Sequence, residues 1–283
     1  MLTQLSIFAF QNLATMKKIT FRQKQLAYRI HGQGPAMVFL HGFPMDHRVW
    51  EIFTSVFSKQ FTVICPDLPG FGQSEMIQDE HHMWLMAEAV NAILAHEEIS
   101  KALFVGHSMG GYAALALAKQ YPERVSGLVL FHSHAAEDEA TARANRANAI
   151  VDAITDIHGF IHRFIDGLFD APFKQKYPER VDRIQKIAES QRKEAVTAAI
   201  AGLRDRESQL QLLSELNCPV LFILGKNDSR MPFARILAQV ALPSHAELML
   251  LSGVAHMGFE ETPDITKQAI LHFALRCQNH AEG

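Results

Sequence analysis

Cysteine is scarce in this 283-residue chain, and its three copies, Cys65, Cys218 and Cys277, lie far apart. An odd, dispersed set argues against a disulfide framework and reads as reduced thiols in a cytoplasmic protein. An excess of one charge sign is also missing: 27 Lys and Arg stand against 30 Asp and Glu, a net charge of −3. No basic face emerges that would suggest nucleic acid or an anionic membrane. Long apolar runs are absent too. The Leu5–Phe10 stretch is interrupted by Gln11 and Asn12 well short of a membrane span, and no Lys or Arg precedes it as a secretory leader requires. Met16 followed by Lys17 and Lys18 reads equally well as a start, so residues 1–15 are expected to be an N-terminal extension. No internal repeat or low-complexity tract is visible. What remains, 48% apolar and 20% charged residues, is the composition of an ordinary globular protein long enough to bury a large core.

Periodicity divides that length into alternating elements. Residues 18–21 and 25–30 alternate like a hairpin with a turn near 22–24. Short, continuously apolar runs at 37–40, 61–65, 102–107, 125–132 and 219–225 read as strands buried on both faces, and 247–252 as a last strand. Helical patterns fall between them: from an N-cap at Asp46 through about Phe57, then 82–97, 110–120, 233–240 and 263–276. Alternation of this kind predicts an α/β fold, a doubly wound, mostly parallel eight-stranded sheet. It stops after Ala136. From Glu137 to Leu216 only helical segments are expected, punctuated by Gly159, Gly167, Pro172, Pro178 and Gly202. The expected division is a core of 16–136 and 217–283 carrying a helical cap, 137–216, inserted between the sixth and seventh strands.

The chemistry concentrates at Gly106-His107-Ser108-Met109-Gly110. A bare GxSxG arises by accident in about one chain in ten of this length, but here it joins a buried strand to an Ala/Leu-rich helix. A serine on that tight turn is pushed up and away from the sheet, and glycines at 106 and 110 remove Cβ atoms that would collide across it. A serine hydroxyl needs a base, and the base needs an acid to fix its tautomer. Ligands of doubly wound sheets sit beyond the carboxyl ends of the strands, so the partners should follow later strands. Asp228 follows strand 219–225 and His256 follows strand 247–252, in the chain order this architecture uses. The stretch after strand 125–132, Phe131-His132-Ser133-His134, offers no carboxylate, which favours Asp228. The amides of Met109 and Phe43 are expected to meet the charge that develops on the substrate oxygen; Pro44 has no N–H to offer. His41, His132, His134, Phe160 and Phe164 are candidates for contact with substrate, the two strand-end histidines at the pocket mouth and the phenylalanines on an apolar stripe of the insertion. His158 and His162 share a helix face but lack the HExxH glutamate, so no metal site is expected. Gly70-Phe71-Gly72 is not a phosphate loop, because no helix-opening GxxxxGK[ST] accompanies it.

FLHGFP (39–44), DLPGFGQS (67–74), VGHSMGG (105–111), LGKND (224–228) and GVAHMGFEE (253–261) together resemble the α/β-hydrolase superfamily, and the likeness runs from about Ile19 to Leu275. The stretch from Phe131 to Asn148 and AAIAGLRDRES (198–208) are similar to small bacterial carboxylesterases and 3-oxoadipate enol-lactonase-like members. The resemblance implies a triad at Ser108, Asp228 and His256, oxyanion amides at Phe43 and Met109, and no metal or organic cofactor. It implies an esterase acting on a small-molecule acyl substrate, an ester, thioester or lactone, as a monomer or homodimer. Serine at 108 sets the chain apart from members with an aspartate nucleophile. Carbon–carbon bond hydrolases of ring-cleavage products, cofactor-free haloperoxidases and non-catalytic ligand sensors share the same pattern.

Overall fold

The computed structural model describes residues 15–280. Of the expected N-terminal extension, residues 1–14 lie outside the described residues, and Thr15 opens the first strand. Strands β1 (Thr15–Phe21) and β2 (Lys24–His31) form the expected antiparallel hairpin. Its turn residues Arg22 and Gln23 both take positive φ, 49° and 64°, the twist that suits a two-residue hairpin loop. Strands β3 (Ala36–Leu40), β4 (Thr62–Pro66), β5 (Ala102–His107), β6 (Val125–Phe131), β7 (Val220–Gly225) and β8 (Ala246–Leu251) complete one eight-stranded sheet in the order β1-β2-β4-β3-β5-β6-β7-β8. From β4 to β8 every pairing is parallel, and β2 runs antiparallel to β4. Every residue of β5 and β7 is buried, which is why these segments are continuously apolar rather than alternating.

Helices α1 (Met83–His96) and α2 (Met109–Gln120) pack against one another, and both are rich in Ala, Leu and Met. One expected element differs. In place of a single helix from 46 to 57 there are two 3₁₀ segments, His47–Trp50 and Thr54–Lys59. Asp46 does cap the first, accepting the Arg48 N–H at 3.0 Å. The residues that follow are largely β-branched or aromatic, poor helix formers, and tertiary packing decides their path. Trp50, Phe53 and Phe57 converge on Phe39 of β3, with ring centroids 5.5, 6.4 and 5.3 Å away. Burying each such ring is worth about 1.5–3 kcal/mol, more than a regular helix would gain here.

Between β6 and β7 the chain forms helices α3 (Ala140–Thr155), α4 (Ile157–Asp166), α5 (Ala171–Lys176), α6 (Pro178–Glu189), α7 (Lys193–Arg204) and α8 (Leu210–Glu215), with no strand among them. Gly159 punctuates the sequence but does not end α4. It sits where the Asp156 carboxylate accepts its N–H at 2.9 Å, and a Cβ there would lie 1.9 Å from that carboxylate. The chain closes with α9 (Phe233–Val240), α10 (Gly258–Glu261) and α11 (Pro263–His280). Cys65, Cys218 and Cys277 are free thiols and buried. Among the described residues no helix is long and apolar enough to cross a membrane.

Candidate active site

At the carboxyl end of β5 the chain reverses into α2 through Ser108, whose φ of 49° and ψ of −112° are strained for a residue with a side chain. The turn is held from both sides: the Ser108 N–H donates to the Phe131 carbonyl at 2.9 Å, and the Ser133 hydroxyl donates to the Ser108 carbonyl at 2.9 Å. Glycine is obligatory on either flank. A Cβ at 106 would lie 2.5 Å from the Gly110 backbone, and one at 110 would lie 2.3 Å from the Leu40 carbonyl oxygen. Ser108 heads α2, but its side chain does not cap the helix, so the hydroxyl is left for other work.

Asp228, three residues beyond β7, and His256, five beyond β8, meet across the sheet top. Imidazole Nδ1 lies 2.7 Å from Asp228 Oδ2. The other carboxylate oxygen accepts the Arg230 and Met231 N–H groups at 2.9 and 3.0 Å. Burial works to raise the Asp228 carboxyl, but the charge and hydrogen bonds of His256 and His132 hold it well below the usual carboxylate range. An ionised acceptor at Nδ1 makes that nitrogen the protonated one and leaves Nε2 as the basic site. The backbone of His256 is pinned as well. Its N–H donates to the Leu168 carbonyl at 2.9 Å, and its carbonyl accepts from Nε2 of His107, the residue before the serine, at 2.9 Å. The two rings lie 5.0 Å apart. Among the described residues Ser108 Oγ makes no hydrogen bond, so none joins it to the His256 imidazole here. Such contacts often tighten only around a substrate.

Opposite the elbow, Gly42–Met45 forms a turn closed by the Met45 N–H on the Gly42 carbonyl at 3.0 Å, with a cis peptide before Pro44. No described backbone carbonyl takes the Phe43 N–H. The Phe43 ring meets Phe164 edge-on at 5.1 Å and Phe160 at 6.5 Å, so both phenylalanines of the helical stripe reach the turn that carries this amide. The Arg230 guanidinium covers the outer side of Phe164, 3.9 Å from its centroid.

The three histidines expected to contact substrate each have hydrogen-bond partners within the protein. His41 is wholly buried; its Nδ1 donates to the Gly42 carbonyl at 3.0 Å and its Nε2 accepts the Leu68 N–H at 3.0 Å. Both ring nitrogens are thus used in bracing the turn. His132 is likewise buried, not at a pocket mouth: Nδ1 lies 3.0 Å from Asp228 Oδ2 and Nε2 accepts the Gly258 N–H at 3.3 Å. His134 is partly buried, accepting the Ala136 N–H at 3.1 Å and facing the Tyr112 hydroxyl at 3.2 Å. Burial, reinforced by the Arg206 charge, lowers its imidazole to about 4. A strand-end position tells which end of the sheet a side chain occupies, but not whether a neighbouring loop closes over it.

Other supports carried no sequence signal. His47 Nδ1 and N–H both donate to Asp67 Oδ1, at 2.7 and 2.9 Å. Gln191 of the insertion donates to Asp46 and accepts the Gly72 N–H, at 2.8 and 2.9 Å, tying the helices to the loops after β3 and β4. Among the described residues ligand-type atoms cluster in two places, His132–Asp228–His256 and Asp46–His47–Asp67. In both, N–H donors point at the carboxylate oxygens, which is hydrogen bonding rather than a vacant cation cage. A cavity of about 280 Å³ lined by Pro35, Leu103, Lys101 and Cys277 opens at the opposite, amino end of the strands. Its thiol, pushed up to about 12 by burial, is no nucleophile.

The family model for the alpha/beta hydrolase fold matches residues 35–263. The pimeloyl-[acyl-carrier protein] methyl ester esterase of Aeromonas hydrophila is 30% identical over 264 residues, 86% of this chain and 96% of that protein. An uncharacterized protein of Mycobacterium tuberculosis is 34% identical, but over 116 residues, so the match spans only 34% of that relative's length. Among solved structures, an esterase from Thermogutta terrifontis superposes with a TM-score of 0.88 at 29% identity, covering 93% of this chain and 99% of that one. The enol-lactonase of Burkholderia xenovorans shares the fold, with a TM-score of 0.84 at 21% identity. With its strand order, its serine elbow and matches across most of its length, the chain belongs to the α/β-hydrolase family.

Proposed function

We propose that the protein is a serine hydrolase that cleaves a small or medium carboxylic ester, thioester or lactone through an acyl-enzyme. The observation that carries this reading is the 2.7 Å contact between Asp228 and His256 Nδ1, beside a serine held on a strained elbow. Ser108 Oγ attacks the acyl carbon while His256 Nε2 takes its proton, and Asp228 stabilises the imidazolium. The Phe43 and Met109 amides, the latter at the positive end of α2, receive the oxyanion. Collapse of the tetrahedral adduct transfers the proton from His256 to the leaving oxygen or sulfur. Water, deprotonated by His256, then releases the acid and restores Ser108. Phe160 and Phe164 lie against the Phe43 turn and supply an apolar wall for the acyl group. The esterase relatives named above support ester substrates over other acyl compounds.

Turnover of p-nitrophenyl esters graded by acyl length, with a dienoic ring-cleavage ketone alongside, tests the assignment. The expected result is multiple turnover of the esters, lost in Ser108→Ala, and none of the ketone. Ester turnover unchanged in Ser108→Ala would overturn it.

A further inference from the structure

We propose that His132 is a positioning residue for this chemistry: a second imidazole that shares the Asp228 oxygen with His256 and limits how strongly the acid supports protonation of the base. The inference rests on the serine-hydrolase reading above and deepens it.

Asp228 Oδ2 receives two ring nitrogens, His256 Nδ1 at 2.7 Å and His132 Nδ1 at 3.0 Å. With Arg230 and Met231 on Oδ1, four N–H donors occupy the four acceptor sites of one carboxylate. The tautomer of His132 follows from its other end. Nε2 accepts the Gly258 N–H at 3.3 Å, so the ring proton must sit on Nδ1 and point at Asp228. His132 therefore spans the loop that carries the acid and the helix start that follows the base, two residues past His256.

The surroundings are shaped to this ring. His132 takes a φ of 48°, unusual for a residue with a branched ring, and lies stacked on Phe131 with an interplanar angle of 20°. Gly225 and Gly258 leave room for it: Cβ atoms there would approach its Cε1 to 3.0 Å and its Nε2 to 2.6 Å. Burial lowers its proton affinity, with the Asp228 contact working in the opposite direction, which fits a ring that stays neutral. The charged or titratable groups nearby are His107 at the end of β5, Arg230 beyond Asp228, and Glu260 and Glu261 of α10. Glu260 is paired with Arg180 and Arg183, and Glu261 is occupied by the Ala255, Met257 and Asp170 N–H groups. None of them replaces a second donor on Oδ2.

Each donor on Oδ2 disperses carboxylate charge that would otherwise stabilise the imidazolium at 256. Removing His132 concentrates that charge on His256, so the base stays protonated to higher pH. The acid limb of the kcat/KM profile then moves upward.

The pH profile of p-nitrophenyl acetate hydrolysis is measured for wild type, His132→Gly and His132→Asn. Both replacements tolerate positive φ, but only Asn keeps a donor for Asp228. The proposal expects the Gly variant's acid limb to rise by about one pH unit, a roughly tenfold loss on that limb, with KM little changed. The Asn variant should stay within about 0.3 unit of wild type. A folded Gly variant with an unmoved limb, or equal shifts in both variants, overturns the proposal, because a merely structural ring would lower the rate at every pH. Should His132→Gly not fold, proton NMR of the wild type decides. Two strongly deshielded imidazole Nδ1–H resonances, one of them lost in His132→Asn, support sharing of the carboxylate; a single resonance refutes it. Ser108→Ala, run beside them, separates the two levels: activity surviving there sinks the hydrolase reading itself, whereas its loss with an unmoved limb sinks only the role of His132.

Discussion

Replacing Gly110 by alanine would test how closely the elbow and the turn after β3 are fitted together. The added methyl would lie 2.3 Å from the Leu40 carbonyl oxygen, 2.7 Å from its carbon and 2.8 Å from its Cβ, all groups that cannot swing aside. Real Cβ contacts stay beyond 3.0 Å, so β3 and α2 must separate by at least about 0.7 Å. Met109 immediately precedes the substituted residue, and Phe43 lies three beyond Leu40. The two proposed oxyanion amides would therefore move apart by a similar amount. A displacement of about 1 Å in a reacting geometry costs roughly a hundredfold, so a ten- to hundredfold fall in kcat is expected, about 1.4–2.7 kcal/mol of barrier. Overpacking should also lower stability by about 1–3 kcal/mol. The assay is steady-state hydrolysis of p-nitrophenyl acetate with a thermal melt. Gly167→Ala, whose nearest neighbour would be 3.4 Å away, serves as the control. Wild-type kcat and an unchanged Tm in Gly110→Ala would show that the elbow and the turn after β3 are not fitted in this way.

Asp228→Asn is expected to keep the fold but lower kcat by about 10⁴, because an amide no longer dictates the His256 tautomer; a loss under tenfold would contradict the role of the acid. Phe164→Ala should raise KM for medium-chain p-nitrophenyl esters several-fold while leaving acetate hydrolysis nearly unchanged, and equal effects on both chain lengths would remove the acyl-wall assignment. Asp138 carries the buried Arg206 at 2.6 Å, and although burial works to raise its carboxyl, Arg206 and Arg146 hold it below the ordinary value. Its stabilising contribution is thus complete above the unfolded carboxyl pKa near 3.9 and is lost as pH falls through the lower folded value. Asp138→Asn should cost about 3 kcal/mol at neutral pH by stranding Arg206, and should flatten the acid decline of stability; denaturant melts that run parallel to wild type below pH 4 would disprove this.

Much of this architecture was legible in the residues because burial on both faces writes itself as short apolar runs, and ligand positions follow from where those runs end. Ser108, Asp228 and His256 each lie just past such a run, and Phe160 and Phe164 share a helical stripe that does reach Phe43. What periodicity does not carry is which loop folds over which strand end. His41 and His132 stand at strand ends like Ser108, Asp228 and His256, yet backbone N–H groups of distant segments claim the second nitrogen of each. His107 occupies an anonymous position of GxSxG, and its bond to the His256 carbonyl spans 149 residues. The segment after Asp46 became two 3₁₀ turns because Trp50, Phe53 and Phe57 follow the contour of Phe39 rather than a helical repeat. Each of these depends on contacts between distant segments.

Ser108 should carry the acyl group during turnover. The most direct measurement is rapid acid quench of the protein during p-nitrophenyl acetate hydrolysis, followed by mass spectrometry of its peptides. An acetyl adduct on the peptide containing Ser108, formed within one turnover and absent from Asp228→Asn at the same time point, is the predicted result. Sustained hydrolysis with no adduct at Ser108, or with the adduct on another residue, would contradict it.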